Sequence, residues 1–183
     1  MQALALQFNL SETTFILPAT APGANARVRI FTPTFEMPFA GHPTLGTAHV
    51  VRALGLGDHV LNLEMKAGLI PVTGINGDSD TWTLRANAPT HRKPEATRAE
   101  IASALSINEN DIAGEPLWVN TGSDQLVVPL ISPEAVARCA ANAELMAKHC
   151  GNGERAMVYV FAPAGPPRDG VQEAHVRFFF PKN

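Results

Sequence analysis

Gly41, His42 and Pro43 stand directly before a stretch with the composition of a helix, and they have the residue types of an anion-binding turn. Proline is favoured in the first turn of a helix, because the amide hydrogen that it lacks would have no partner there. The amides of Gly41 and His42 would then lie at the positive end of the helix dipole, where a carboxylate is stabilised. The pattern predicts a site for a small anion, although glycine and proline also precede helices in turns that bind nothing.

His42 has two interpretations. As a site residue, it would donate a hydrogen bond to a bound carboxylate beside the backbone amide of Gly41. As a structural residue, it would only cap the helix and would not meet a ligand. We favour the first interpretation because His42 lies in the loop at the start of the helix.

The helix that follows is unusually apolar. Between Pro43 and Gly55, Arg52 is the only formally charged residue and His49 is the only other strongly polar one. Because a surface helix normally carries a polar face, the composition predicts a core helix near residues 43–55 that is buried on nearly all sides.

Strands are expected before and after this helix. Residues 1–8 read as a helix that stops at Asn9, residues 12–17 as a strand, and the alternating residues 27–32 as a half-buried strand. Ala67 and Gly68 predict a hairpin that joins residues 60–66 to residues 69–75. The proline-marked segment 88–96 reads as a linker, so we expect two domains, at residues 1–88 and 97–183.

The second half mixes short strands with few helices. Strands are expected at residues 117–120, 125–130, 157–161 and 174–180. Ser132 and Pro133 are a strong start signal for a helix, which we expect to continue to about His149. Mostly antiparallel strands with few helices favour the α+β class.

Composition excludes several classes of function. The chain has 183 residues and a net charge of −3 without a basic stripe, which argues against nucleic acid as a partner. No stretch has the length of apolar sequence that a membrane span needs, and the first six residues lack a basic n-region and a cleavage site, so we expect a cytoplasmic protein. The six histidines show no metal-ligand spacing, and no phosphate loop or dinucleotide fingerprint is present, so we expect no metal and no cofactor.

Two motifs carry a resemblance to a known family. The run Pro38-Phe39-Ala40-Gly41-His42-Pro43-Thr44-Leu45-Gly46-Thr47-Ala48, with Arg29-Ile30-Phe31-Thr32-Pro33 before it, resembles the signature of the PhzF-like isomerases of phenazine biosynthesis. Upstream, Asn9-Leu10-Ser11-Glu12-Thr13-Thr14-Phe15 resembles the family segment that contains the catalytic glutamate. The resemblance implies a diaminopimelate epimerase-like fold, in which each of two halves is a curled mixed sheet around a central helix. It also implies a homodimer.

The resemblance assigns roles to four residues. Glu12 would be the general acid/base that moves a proton at an activated carbon of a small carboxylate-bearing substrate, and Gly41 and His42 would hold the carboxylate. Ser11 would bind the substrate or Glu12, although a plain turn after the first helix would use the same residue. Without the motif, a solvent-facing glutamate at the start of a strand would be the simpler interpretation of Glu12.

The run that contains Cys150 resembles a motif of a related enzyme family. Cys150-Gly151-Asn152-Gly153 resembles the run that carries the catalytic cysteine of diaminopimelate epimerases, where it follows a strand and opens a buried helix. Here the run follows a predicted helix and precedes a strand. We therefore interpret Cys150 as part of a helix-ending turn in which Gly151 is the C-cap.

Family members also extend beyond the two ends of this chain. They begin with an additional strand and continue past Phe180 into a Glu-Asp-Pro…Thr-Gly-Ser-Ala segment that supplies a partner acid and the second central helix. We therefore expect a truncated chain with an incomplete second half. The alternative to an enzyme is a non-catalytic remnant that binds a small acid or a partner chain, the latter through apolar strand edges such as residues 176–180.

Overall fold

The computed structural model of the chain describes residues 1–75, 81–153 and 155–180. These residues form two compact units. The first consists of Met1–Ala88 with Thr121–Ser123, and the second consists of Pro89–Asn120 with Asp124–Asn183.

The first unit consists of two helices and a mixed sheet. Its helices are α1 (Gln2–Phe8) and α2 (Gly41–Ala53), and its strands are β1 (Thr13–Leu17), β2 (Ala26–Phe31), β3 (Glu36–Met37), β4 (Val60–Met65), β5 (Gly68–Gly74) and β6 (Trp82–Leu84). The strand order is β1-β2-β4-β5-β6, with β3 paired to β2. Strands β2 and β4 are parallel, so the chain must cross over between them, and α2 lies in that crossover.

The end of α1 sets the start of β1. Asn9 ends the helix in the left-handed conformation, with φ of 51°, which asparagine adopts more readily than most residues. Strand β1 then pairs antiparallel with β2, from Thr13 opposite Phe31 to Leu17 opposite Arg27. Glu12 therefore lies directly before the first residue of this strand pair.

Helix α2 has one buried face and one exposed face. The buried face contains Pro43, Thr44, Thr47, Ala48 and Val51. The exposed positions are His42, Gly46, His49, Val50 and Ala53. The prediction that this helix is buried on nearly all sides was wrong, because strands β1, β2, β4 and β6 cover one side of it and leave the other side, which includes Val50, exposed among the described residues.

The second unit is a five-stranded sheet with three α-helices in the described ranges. Its elements are β7 (Thr90–Arg92), α3 (Arg98–Ala104), a 3₁₀ turn (Glu109–Asp111), β8 (Leu117–Asn120), β9 (Asp124–Pro129), α4 (Pro133–Arg138), α5 (Ala143–His149), β10 (Val158–Pro163) and β11 (Ala174–Phe179). The strand order is β11-β10-β9-β8-β7. Strand β7 lies within the segment 88–96, whose prolines had indicated a linker.

The single helix expected from Ser132 to about His149 is two helices. Cys139 leaves the helical conformation at the end of α4, with ψ of 129°. Asn142 then begins α5, since its Oδ1 accepts a hydrogen bond from the amide of Leu145 at 3.0 Å. A side chain that caps a new helix in this way competes with continuation of the old one, so the prediction of one helix was wrong.

Each unit has its own cluster of buried apolar side chains. In the first unit the cluster joins the sheet to α2 through residues such as Val51, Leu61 and Ile70. In the second unit it joins the sheet to the helices through residues such as Ile101, Leu126 and Met146. Two mixed sheets with few helices confirm the predicted α+β class.

Within the described part of the chain, none of the helices has both the length and the apolar character that crossing a bilayer requires.

Candidate functional site

A cavity of about 600 Å³ lies between the start of β1 and the exposed face of α2, within the first unit. Its lining residues are Ser11, Glu12, Thr14, Phe15, Ile16, His42, Pro43, Gly46, Thr47 and Val50. The structure thus brings together Ser11, Glu12 and His42 from two motifs that are about 30 residues apart in the sequence. Gly41 is the first residue of α2, next to His42, and lies outside this lining.

Glu12 and His42 face each other in the cavity. Oε2 of Glu12 lies 3.2 Å from Nε2 of His42, and the glutamate side chain is 19% exposed while that of the histidine is 79% exposed. Oε2 is buried, and it accepts no well-formed hydrogen bond from the residues that the structure describes. A buried carboxylate oxygen without such a bond is costly, so this atom is available to accept a hydrogen bond from a ligand.

The start of α2 has no side chain that satisfies its first amides. The N-cap residue is Ala40, whose methyl group cannot accept a hydrogen bond. Gly41 and His42 are the first two residues of the helix, and Pro43, the third, has no amide hydrogen. The amides of Gly41 and His42 therefore form the donor pair at the positive end of the helix dipole, next to the exposed imidazole.

Two threonines connect the walls of the cavity. The buried Oγ1 of Thr47 lies 2.9 Å from Oγ1 of Thr14 on β1 and 2.7 Å from the carbonyl oxygen of Pro43, one turn earlier in α2. The contact with Thr14 joins the helix to the strand that follows Glu12, while the contact with Pro43 lies within the helix. Sequence reasoning missed this pair, although Thr14 shares the strand face of Glu12 and Thr47 follows Pro43 by one helical turn.

Cys150 does not share this environment. It is fully buried at the end of α5, and burial raises the pKa of its thiol to about 12, so the reactive thiolate is suppressed. A Cβ atom at Gly151 would lie 2.8 Å from the carbonyl oxygen of Ala147, so only glycine fits there. Both observations agree with a helix-ending turn, but the prediction that Gly151 is the C-cap was wrong, because α5 ends one residue earlier and its C-cap is Cys150.

The second unit contains another cavity, of about 590 Å³, lined mainly by charged side chains. Several of these charges already have partners. Nη2 of Arg92 lies 2.7 Å from Asp124, and Nζ of Lys93 lies 2.6 Å from Glu115. Such neutralised pairs on a surface give little reason to expect a charged ligand.

Solved structures are similar to this chain in fold, and curated proteins are similar to it in sequence. The crystal structure of a PhzF-family phenazine biosynthesis protein from Bacillus anthracis superimposes with a TM-score of 0.77 at 26% identity, covering 98% of this chain and 60% of that one. An uncharacterized isomerase of Pasteurella multocida is 33% identical, over 100% of this chain and 59% of the relative. The trans-2,3-dihydro-3-hydroxyanthranilate isomerase of Pseudomonas fluorescens is 32% identical, over 90% of this chain and 61% of the relative.

The fold defines a class of α+β proteins, and several curated relatives of this chain are named as isomerases. The sequence model of one family, described as phenazine biosynthesis-like protein, matches residues 1–183, and the chain belongs to that family. The resemblance seen in the sequence is thereby confirmed. The chain spans 59% and 61% of the lengths of the two curated relatives named above.

Proposed function

We propose that the chain supplies the acid/base half of an isomerase that moves a proton on a small carboxylate-bearing metabolite. The observation that carries this proposal is the buried Oε2 of Glu12, which lies 3.2 Å from His42 at the mouth of a cavity. In support, the curated relative in Pseudomonas fluorescens is named as an isomerase of trans-2,3-dihydro-3-hydroxyanthranilate, which is a small carboxylate.

The proposed roles follow from where the groups lie. The amides of Gly41 and His42 and the imidazole of His42 hold the substrate carboxylate at the start of α2, and Ser11 donates to it from the opposite wall. The Glu12 carboxylate accepts a proton from a carbon that conjugation has made acidic. The resulting carboxylic acid then returns the proton to another carbon of the same molecule, so the reaction consumes no co-reactant.

The test replaces Glu12 by glutamine, which keeps the size of the side chain and removes its basicity. With trans-2,3-dihydro-3-hydroxyanthranilate in deuterated water, NMR measures both isomerisation and deuterium incorporation. We expect Glu12→Gln to lose roughly 10²–10⁴-fold in turnover while binding is retained.

Glu173→Gln is the matched control, because Glu173 is an exposed glutamate of the second unit and should leave turnover unchanged. Turnover by Glu12→Gln at the rate of the unsubstituted chain would refute the assignment of Glu12.

The second candidate function is non-catalytic binding of a small acid or a partner chain. The observation that favours it is the exposed apolar surface of β11, where Val176 and Phe178 are 48% and 46% exposed at the edge of the sheet. A chain that binds small acids without isomerising any of them would favour this second candidate.

A further inference from the structure

Gly46 lies in the interior of α2, where neither its backbone conformation nor its contacts with the residues that the structure describes require glycine. It has ordinary helical geometry between Gly41 and Ala53, and a Cβ atom built on it would meet nothing within 4 Å. Glycine destabilises a helix interior relative to alanine. The packing of the described residues therefore gives no reason for a glycine at this position.

The position of Gly46 on the helix relates it to the cavity. It follows His42 by four residues and precedes Val50 by four, so the three share one helix face, and all three line the cavity. Gly46 and Val50 are exposed, whereas the buried face of the same helix is filled by residues such as Thr47 and Val51. The missing side chain therefore leaves open space in the cavity and not in the core.

The direction of helical side chains adds a constraint. The Cα–Cβ bonds of an α-helix tilt toward its N-terminus, so a residue covers the surface of the turn that precedes it. A side chain at position 46 would thus extend over the turn that contains His42. It would occupy the space next to His42, where the carbon skeleton of a bound acid would lie.

We infer that Gly46 is a specificity-determining residue, which keeps open the space for the body of a carboxylate ligand larger than the carboxylate group itself. The inference rests on the proposed carboxylate site at Gly41 and His42. It adds that the body of the ligand lies along α2, between Gly46 and Ile16 of β1, which shares the strand face of Glu12 and Thr14.

The test is an NMR titration of the full chain with acetate and with benzoate, which share the carboxylate and differ in the body. In Gly46→Leu we expect the affinity for benzoate to fall roughly tenfold or more, while that for acetate stays within about twofold. Gly46→Ala should raise Tm by roughly 2 °C or more, because alanine favours the helix, and should weaken benzoate at least about threefold. The alanine variant carries the test by itself if Gly46→Leu does not fold.

Ala53→Leu is the matched control, because it adds the same side chain to an exposed position of α2 outside the cavity lining, and it should leave both affinities unchanged. Failure of the unsubstituted chain to bind either acid would refute the proposed site itself. Binding of both acids by the unsubstituted chain, with unchanged benzoate affinity in the Gly46 variants, would overturn only the inference about Gly46. An equal loss of acetate and benzoate affinity would overturn it as well, since the carboxylate anchor and not the body would then be blocked.

Discussion

At the scale of single residues, Glu36 is held by two cations in the first unit. Nε and Nη2 of Arg29 each lie 2.8 Å from one of its carboxylate oxygens, and Nζ of Lys66 lies 3.1 Å from Oε2. The hydrogen bonds from Arg29, with help from Lys66, lower the pKa of Glu36 from 4.5 to about 2. The paired arginine fork fixes the short strand β3 beside β2, immediately before the loop that leads to α2.

This arrangement predicts how acid affects stability. Because the folded pKa lies below the unfolded one, the unfolded chain binds the proton first, and the contribution of Glu36 is complete above pH 4.5 and is lost as the pH falls toward about 2. We expect Glu36→Gln to lower the free energy of unfolding by about 1–3 kcal/mol at neutral pH. The difference from the unsubstituted chain should shrink between pH 4.5 and about 2. Urea unfolding at a series of pH values measures it.

Glu115→Gln is the control, because Glu115 makes an exposed pair with Lys93 that should contribute little. A Glu36→Gln variant whose deficit in stability is the same at every pH would contradict the ionic explanation.

Some residues of the candidate site could be predicted from the sequence, and others could not. Glu12 and His42 each stand in a motif with a recognisable pattern, so the order of amino acids was enough to select both as candidates. The contact between Thr14 and Thr47 could not be predicted in this way, because it depends on how α2 rotates against β1, and a threonine in either element has many other possible partners. The role of Cys150 was predictable from its context, since a run between a helix and a strand does not open a buried helix.

At the scale of elements, the end of α4 depends on a residue far away in the sequence. Nη1 of Arg177 on β11 donates to the carbonyl oxygens of Cys139 at 2.6 Å and Ala137 at 3.1 Å. The last carbonyls of a helix have no partners within the helix, so a cation placed there stabilises its C-terminus. Arg177 thus ties the edge strand of the sheet to the break between α4 and α5.

We expect Arg177→Met to lower the free energy of unfolding by about 1–3 kcal/mol, because methionine keeps the apolar stem and removes the charged donors. Hydrogen exchange should show the largest loss of protection in α4 and β11. Arg168→Met serves as the control, since Arg168 is an exposed residue of the same unit. Equal stability of the two variants would show that Arg177 does not hold this helix end.

Element positions followed from sequence patterns where a local signal was present. Helix α1, strand β1 and the β4–β5 hairpin lie within a residue or two of where Asn9, Pro18 and Gly68 indicated. The break between α4 and α5 was missed, because an asparagine can occur inside a helix as well as at its start. Only the capping contact of Asn142 shows that a new helix begins there. The exposed face of α2 was missed for a different reason: apolar composition indicates what a helix can bury, and the neighbouring strands decide what it does bury.

At the scale of the whole molecule, exposed apolar side chains lie on β11, a strand at the edge of the second sheet. The ring centroid of Phe178 on β11 lies 6.5 Å from that of Tyr159 on the neighbouring strand β10 and 6.5 Å from that of Phe180. Edge strands with exposed apolar side chains are prone to pair with other chains.

We expect the chain to self-associate with rising concentration through this edge, and Phe178→Lys to weaken that association by roughly tenfold or more. Light scattering over a concentration series measures the effect. Val171→Lys is the control, because Val171 is also exposed in the same unit but lies outside β11. Association of equal strength in both variants would assign the contact to another surface.

The alanine that precedes α2 has one more consequence. Most helices carry their own cap, so their first turn is complete whenever the chain is folded. Here the cap would arrive from solution, and thermodynamic linkage then requires every bound anion to make the fold harder to unfold, in proportion to the logarithm of its concentration. If the proposed carboxylate site at Gly41 and His42 is correct, its ligand should therefore also raise the Tm of the chain.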